Sequence, residues 1–186
     1  MTASETASIC VFCGARDGGD PAYARAAEET GAMLGRRGWR LVYGAGDVGL
    51  MGRVARAAEA AGAETFGVIP QHLVDIEVGR RALTRFVVTE TMHERKKVMF
   101  TNSDAVVVLP GGAGSLDEFF EVLTWRQLGL HAKPIVLLDA AGYWQPLLAL
   151  IDHVVAQGFA GEDVRAAVRI APDVAALEAL LESALP

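Results

Sequence analysis

The chain has 186 residues, of which 52% are apolar and 22% charged, and its net charge is -6. That length can bury a real core and that composition excludes disorder. The acidic balance removes any global electrostatic case for nucleic acid or a membrane surface, so a bound phosphate has to be held by a local site. Nothing approaches the ~18 uninterrupted apolar residues of a membrane span. Met1–Ser8 is polar and acidic, without the basic and apolar regions of a secretory signal, so a cytoplasmic location is expected.

The first predicted strand, Ile9–Cys13, contains the only two cysteines, Cys10 and Cys13. Their C-x-x-C spacing fits a redox pair or half a zinc site. In a strand, however, residues three apart point to opposite faces, and no second Cys/His pair follows at ligand spacing. Two small, reduced core residues are the preferred reading. A helix follows over Pro21–Arg37, with Asp20 as N-cap before a proline at the first helical position and a stop near Gly38.

The second strand, Arg40–Tyr43, runs into Gly44-Ala-Gly46-Asp-Val-Gly49 and a helix over Leu50–Ala61. This is a literal G-x-G-x-x-G, but a dinucleotide site also needs an acid at the far end of the next strand. Glu64, 20 residues after Gly44, stands at the beginning of the strand Thr65–Ile69. At ~3.3 Å per residue it falls some ~15 Å from the nucleotide edge. The far end reads Val68-Ile69-Pro70-Gln71, with no acid. NAD binding is disfavoured, and a backbone loop that admits phosphate or ribose is preferred over a purely structural turn.

A fourth strand, Arg85–Val88, leads to a helix over His93–Asn102, whose Thr91-x-x-Glu94 start is a capping box. The cluster Met92-His93-Glu94-Arg95-Lys96-Lys97 can supply cations for a phosphate or be a solvated basic face. His93 has no recognisable nucleophile partner and is read as structural. The fifth strand, Ala105–Leu109, enters Pro110-Gly-Gly-Ala-Gly-Ser-Leu-Asp-Glu118 and a helix over Leu116–Leu128. Three glycines permit unusual dihedrals and close backbone approach, and the helix start offers free N–H groups with Ser115 as an extra donor. No lysine follows the last glycine, which excludes a Walker loop. Ser115-x-x-Glu118 is itself a capping box, and spacing alone fits either a cap or a functional carboxylate. Strands at Pro134–Leu138 and Val168–Ile170 and helices at Tyr143–Gln157 and Val174–Ser183 complete the chain.

Strands this apolar are covered on both faces. The predicted fold class is therefore α/β: a single Rossmann-like doubly wound parallel sheet of about seven strands, helices on both faces, one domain over residues 1–186. Ligands in such sheets sit at the carboxyl ends, which singles out the loops after Cys13, Tyr43, Ile69, Val88 and Leu109.

Gly44-Ala-Gly-Asp-Val-Gly-Leu-Met-Gly52, Met92-His-Glu-Arg-Lys96 and Pro110-Gly-Gly-Ala-Gly-Ser-Leu-Asp-Glu118 together resemble the motifs of the Lonely Guy family. These are cytokinin riboside 5′-monophosphate phosphoribohydrolases, once widely labelled lysine decarboxylases. The likeness extends from Val11-Phe-Cys-Gly14 through Glu121–Gly129 to Gly142-Tyr143 and Gly158-Phe159. It implies hydrolysis of the N-glycosidic bond of a nucleoside 5′-monophosphate (AMP or an N6-prenylated AMP), releasing the base and ribose 5-phosphate. No metal and no organic cofactor are implied, and a homodimer is expected, with which the apolar Leu128-Gly-Leu130 is compatible.

The resemblance further implies a catalytic pair, Arg95 and Glu118. Gly111, Gly112, Gly114 and Ser115 would hold the phosphate end, with Ala113 and Leu116 among the substrate-binding residues. Glu77, Lys96, Asp117 and Thr124, with Gly44 and Gly46 of the first Gly run, would complete the nucleotide site. The residue types suit the chemistry: a carboxylate stabilises an oxocarbenium-like state while activating water, and a neighbouring arginine should lower its pKa and keep it ionised. Glu118→Gln and Arg95→Ala should then abolish turnover and leave the fold intact. Departures from the family pattern are Ala45, Ser115 for threonine, Ala15-Arg16 where serines are frequent, and Ile76 where an arginine is frequent. Arg16 and Ile76 fall on contacts to ribose, phosphate or base. The decarboxylase label requires a Schiff-base lysine, and only Lys96, Lys97 and Lys133 are present. Rival readings are a non-catalytic nucleotide carrier of the same fold and a plain AMP nucleosidase.

Overall fold

The computed structural model describes residues 6–74 and 83–185. Seven strands form one all-parallel sheet: β1 (Ser8–Phe12), β2 (Arg40–Tyr43), β3 (Thr65–Pro70), β4 (Arg85–Thr89), β5 (Ala105–Val108), β6 (Ile135–Leu138) and β7 (Val168–Ala171). Their spatial order is β4-β3-β2-β1-β5-β6-β7. The helices are α1 (Pro21–Arg36), α2 (Gly49–Ala60), α3 (Gln71–Val74), α4 (Met92–Thr101), α5 (Ala113–Gln127), α6 (Gln145–Ala156), α7 (Glu162–Ala166) and α8 (Val174–Ala184). All seven predicted strands are present. The short α3 and α7 were not predicted, because one turn of helix leaves no periodicity to read.

Side-chain alternation divides the interior into two cores. Ile9, Val11 and Cys13 face a core with α1, α2 and α8, whereas Cys10 and Phe12 face one with α4, α5, α6 and α7. In β5, Ala105 and Val107 join the first core, and Val106 and Val108 the second. The two cysteines thus lie on opposite faces, buried and unbridged. Both thiols are pushed well up by burial, which makes them inert core residues rather than a redox pair.

Local chemistry defines the helix ends. The Ala22 amide donates to Asp20 Oδ1 at 2.8 Å, and the capping box at α4 is complete, with Glu94 N–H to Thr91 Oγ1 and Thr91 N–H to Glu94 Oε2 both at 3.2 Å. Among the described residues no helix is long and apolar enough to cross a membrane.

Candidate active site

Strand order reverses at β1, with β2, β3 and β4 to one side and β5, β6 and β7 to the other. A parallel sheet opens a ligand crevice there, above the carboxyl ends of β1 and β5. A cavity of about 820 Å³ occupies that position. Its walls are the loop 13–20 after β1, Pro110–Gly112 after β5, the first turns of α5, Met92 and Arg95 of α4, and Leu50 and Met51 of α2. The Gly14 amide donates to the Pro110 carbonyl at 3.0 Å and fastens the two loops together, while the Gly14 carbonyl accepts from the Met51 amide at 3.3 Å. From outside, Arg53 grips both Asp17 carboxylate oxygens at 2.8 and 2.9 Å and reaches Glu28 at 2.6 Å. This loop forms much of the wall and supplies none of the predicted site residues.

The helix α5 begins three residues before its predicted start, with Gly112 as N-cap and no side-chain cap. Ser115 is therefore inside the helix, and Glu118 makes no bond back to it. The capping-box reading fails, because the N-terminal boundary falls among glycines. Leu116 N–H to the Gly112 carbonyl, at 3.1 Å, is the first helical bond, so the amides before it are left to a ligand or water. Gly111, Gly112 and Gly114 have no positive φ. Unusual dihedrals are thus not what this loop needs. A side chain on Gly112 or Gly114 would meet nothing within 4 Å, so these glycines leave open room beside the helix start. Tyr143 holds the loop from behind, its hydroxyl donating to the Gly111 carbonyl at 2.6 Å and its ring packed edge-on to Tyr23. No sequence signal links Tyr143 to Gly111, which lies 32 residues earlier.

Arg95 is 6% exposed. Its Nε donates to the Val68 carbonyl at 3.1 Å and its Nη2 to the Gly44 carbonyl at 2.8 Å, tying α4 to the carboxyl half of β3 and to the residue just after β2. A Cβ at Gly44 would stand where the guanidinium lies. The first Gly run thus admits Arg95 rather than a ligand, and Gly44 and Gly46 are buried outside the cavity wall. The Ala15 and Arg16 backbone lies against Gly49 and covers the start of α2, the place where a dinucleotide pyrophosphate would sit. Glu64 precedes β3, as expected.

Glu118 lines the cavity, makes no hydrogen bond to another described residue, and forms no ion pair with Arg95. Burial raises its carboxyl from an ordinary 4.5 to about 7, outweighing the opposing pull of the Arg95 charge. The expected lowering is reversed here, because Arg95 directs its donors to carbonyls and burial of the carboxyl outweighs the pull of its charge. Lys96 is also placed otherwise than expected: its Nζ bonds Asp117 at 2.9 Å and Glu121 at 3.1 Å, pinning α4 to α5 outside the cavity wall. Burial alone would lower the Lys96 ammonium, but these two carboxylates outweigh it and the net shift is upward.

Of the predicted site residues, Arg95, Gly111, Gly112, Gly114, Ser115, Asp117 and Glu118 come together around the cavity. Ala113, Leu116 and Thr124 do not line it; Thr124 is exposed further along α5, its hydroxyl donating to the Phe120 carbonyl at 2.7 Å. His93 is exposed and outside the cavity. Glu77 and Ile76 lie outside the described residues. Leu128 and Leu130 do not finish a core, being 67% and 69% exposed.

The fold and cavity define a Rossmann-like α/β protein with its described cavity at the topological switch point. Residues 51–181 match the family model described as "Possible lysine decarboxylase". The chain is 43% identical to the cytokinin riboside 5′-monophosphate phosphoribohydrolase LOG of Oryza sativa subsp. japonica, over 96% of this chain and 74% of the relative. It is 44% identical to the cytokinin riboside 5′-monophosphate phosphoribohydrolase of Rhodococcoides fascians, over 95% of this chain and 89% of the relative. The molybdenum cofactor binding protein of Rippkaea orientalis shares the fold, with a TM-score of 0.73 and 23% identity over 97% of this chain and 98% of that one. The chain belongs to the LOG family of phosphoribohydrolases.

The decarboxylase description finds no support in the site. The Lys133 ammonium donates to the Phe100 and Ser103 carbonyls, Lys96 is held by two acids, and Lys97 is exposed away from the cavity. No lysine is placed to hold pyridoxal phosphate as a Schiff base.

Proposed function

We propose that this cavity hydrolyses the N-glycosidic bond of N6-substituted adenosine 5′-monophosphates, releasing the free base and ribose 5-phosphate. The observation that carries the reading is Glu118: a carboxyl beside the open α5 start, without a hydrogen-bond partner among the described residues, with its pKa raised to about 7 by burial. A group titrating there is both basic enough to accept a proton and substantially ionised at neutral pH.

The phosphate docks on the amides of Gly112, Gly114 and Ser115, with the Ser115 hydroxyl as a further donor. This brings C1′ of the ribose to Glu118, one helical turn on. The C1′–N9 bond breaks with its electron pair going to the base, and positive charge develops on the ribose. Ionised Glu118 faces that charge and takes a proton from the attacking water. The water oxygen bonds to C1′, and the proton that Glu118 has taken passes on to the departing base nitrogen, which restores the carboxylate. Arg95 fixes the α4–β2–β3 junction beneath the carboxylate and adds positive charge to the floor. Leu50, Met51 and Met92 supply an apolar wall for the base. We also propose that the chain acts as a cytoplasmic homodimer: both cysteines are free, and Leu128 and Leu130 are exposed just past the end of α5. Sedimentation and cell fractionation test those two points.

Chromatography of reactions with AMP, isopentenyladenosine monophosphate and the corresponding nucleosides tests the activity. Free base and ribose 5-phosphate in equal amounts are expected. A full panel of monophosphates left uncleaved would refute the assignment, and binding without consumption would favour the carrier reading. Relative kcat/KM for AMP and prenylated AMP separates a plain nucleosidase from a cytokinin-directed enzyme.

A further inference from the structure

We propose that Arg16 is the cation that grips the 5′-phosphate and sets the preference for a phosphomonoester over an unphosphorylated nucleoside; this rests on the reading above. The charges around the cavity call for such a group. Its described wall carries four acids, Asp17, Asp20, Asp117 and Glu118, against two basic residues, Arg16 and Arg95. A doubly charged phosphate entering that field needs positive charge beyond the α5 amides. Arg95 is buried and committed to the Val68 and Gly44 carbonyls, and Lys96 is committed to Asp117 and Glu121 outside the wall.

Arg16 differs from both. It is exposed, lines the cavity, and makes no ion pair with a described residue. The acids nearest to it in the chain are occupied elsewhere: Asp17 is held by Arg53, and Asp20 caps α1 through the Ala22 amide. Its backbone is also well placed. The Gly14–Pro110 bond couples the Arg16 loop to the glycine loop, and the contact with Gly49 seats it on α2. Gly14 is the joint: a Cβ there would meet the Arg16 carbonyl oxygen at 3.1 Å and Gly111 Cα at 3.4 Å, so Arg16 and the glycine loop flank one residue and line one cavity. A guanidinium offers a phosphate two parallel donors, which a short hydroxyl side chain cannot.

The test compares wild type, Arg16→Lys and Arg16→Ala by kcat/KM for AMP and for adenosine, with inorganic phosphate as competing inhibitor. Arg16→Ala is expected to reduce the AMP-over-adenosine preference about 10- to 100-fold, chiefly through KM, the range for losing a charge-assisted contact. The inhibition constant for inorganic phosphate should rise in step, and Arg16→Lys should recover part of both. At high salt the wild-type advantage should shrink, because a rim pair is screened. Unchanged preference and unchanged phosphate inhibition in Arg16→Ala would overturn the proposal, as would an equal loss on AMP and adenosine. If wild type cleaves nothing, the hydrolase reading fails by itself. Arg16 is then judged by calorimetric AMP binding, where an Arg16→Ala affinity equal to wild type overturns it and a loss supports it. Unaltered thermal melting of the exposed-site variants confirms that folding is not being read.

Discussion

Replacing Glu118 by glutamine gives the sharpest test of the site's electrostatics, because it predicts a gain in stability together with the loss of function. Burial raises the Glu118 carboxyl from 4.5 to about 7. The folded chain therefore still holds this proton at pH values where the unfolded chain has released it. Unfolding then releases a proton, so this residue's contribution to stability falls as pH rises from about 4.5 to about 7 and is level above that. At about 1.4 kcal/mol per pH unit of displacement, the full cost of the buried charge is about 3 kcal/mol. Glu118→Gln keeps the shape and removes the charge. It should match wild type in stability near pH 4.5 and exceed it by up to about 3 kcal/mol at pH 8.5, a rise of about 6–12 °C in Tm for a chain of this size. Urea unfolding at four pH values between 4.5 and 8.5 measures the difference. A gap that stays flat with pH, or a wild type that gains on the variant as pH rises, would refute the reasoning.

The same carboxyl predicts that kcat/KM for the wild type rises with pH through about 7 and then levels, since the base acts when ionised; a profile that falls across that range would assign Glu118 the acid role. Arg95→Ala should abolish turnover and also destabilise the chain by roughly 2–4 kcal/mol, because two buried carbonyl partners are orphaned; chemical denaturation checks this, and it revises the expectation of an intact fold. Gly44→Ala places a methyl where the Arg95 guanidinium lies and should reproduce both defects without touching a charged residue, as judged by activity and melting together. Tyr143→Phe loses the bond to the Gly111 carbonyl at a cost of about 1 kcal/mol, and the looser phosphate loop should raise KM for the monophosphate more than it shifts Tm.

Much of the architecture was legible from the chain alone. Runs such as Ala105–Val108 are apolar on every residue, which only a sheet covered on both faces allows, and Asp20 and Thr91 carry their capping instructions within four residues of the bonds they make. Local chemistry of that kind survives folding unchanged. That the glycine loop, Ser115 and Glu118 share one wall was legible for the same reason, since their relation spans one turn of one helix, whereas spacing alone left open whether Glu118 caps or acts. Roles that depend on distant partners were not legible. Arg95 and Lys96 read as interchangeable neighbours in a basic cluster. Yet one turns under β2 and β3 to meet two carbonyls, and the other crosses to Asp117 and Glu121 on α5. The first Gly run read as a ligand loop, because nothing nearby in sequence shows that an arginine 51 residues away fills the space beside Gly44.

Glu118 shows the division most clearly. Sequence placed a carboxylate one turn into a glycine-led helix and, with the Lonely Guy resemblance, put an arginine beside it; on those facts its pKa should fall. Desolvation is a sum over everything packed around a group, and no pair of residues in the chain contains it. Only the tertiary packing around Glu118 decided that burial outweighs the arginine and leaves the carboxyl near neutrality.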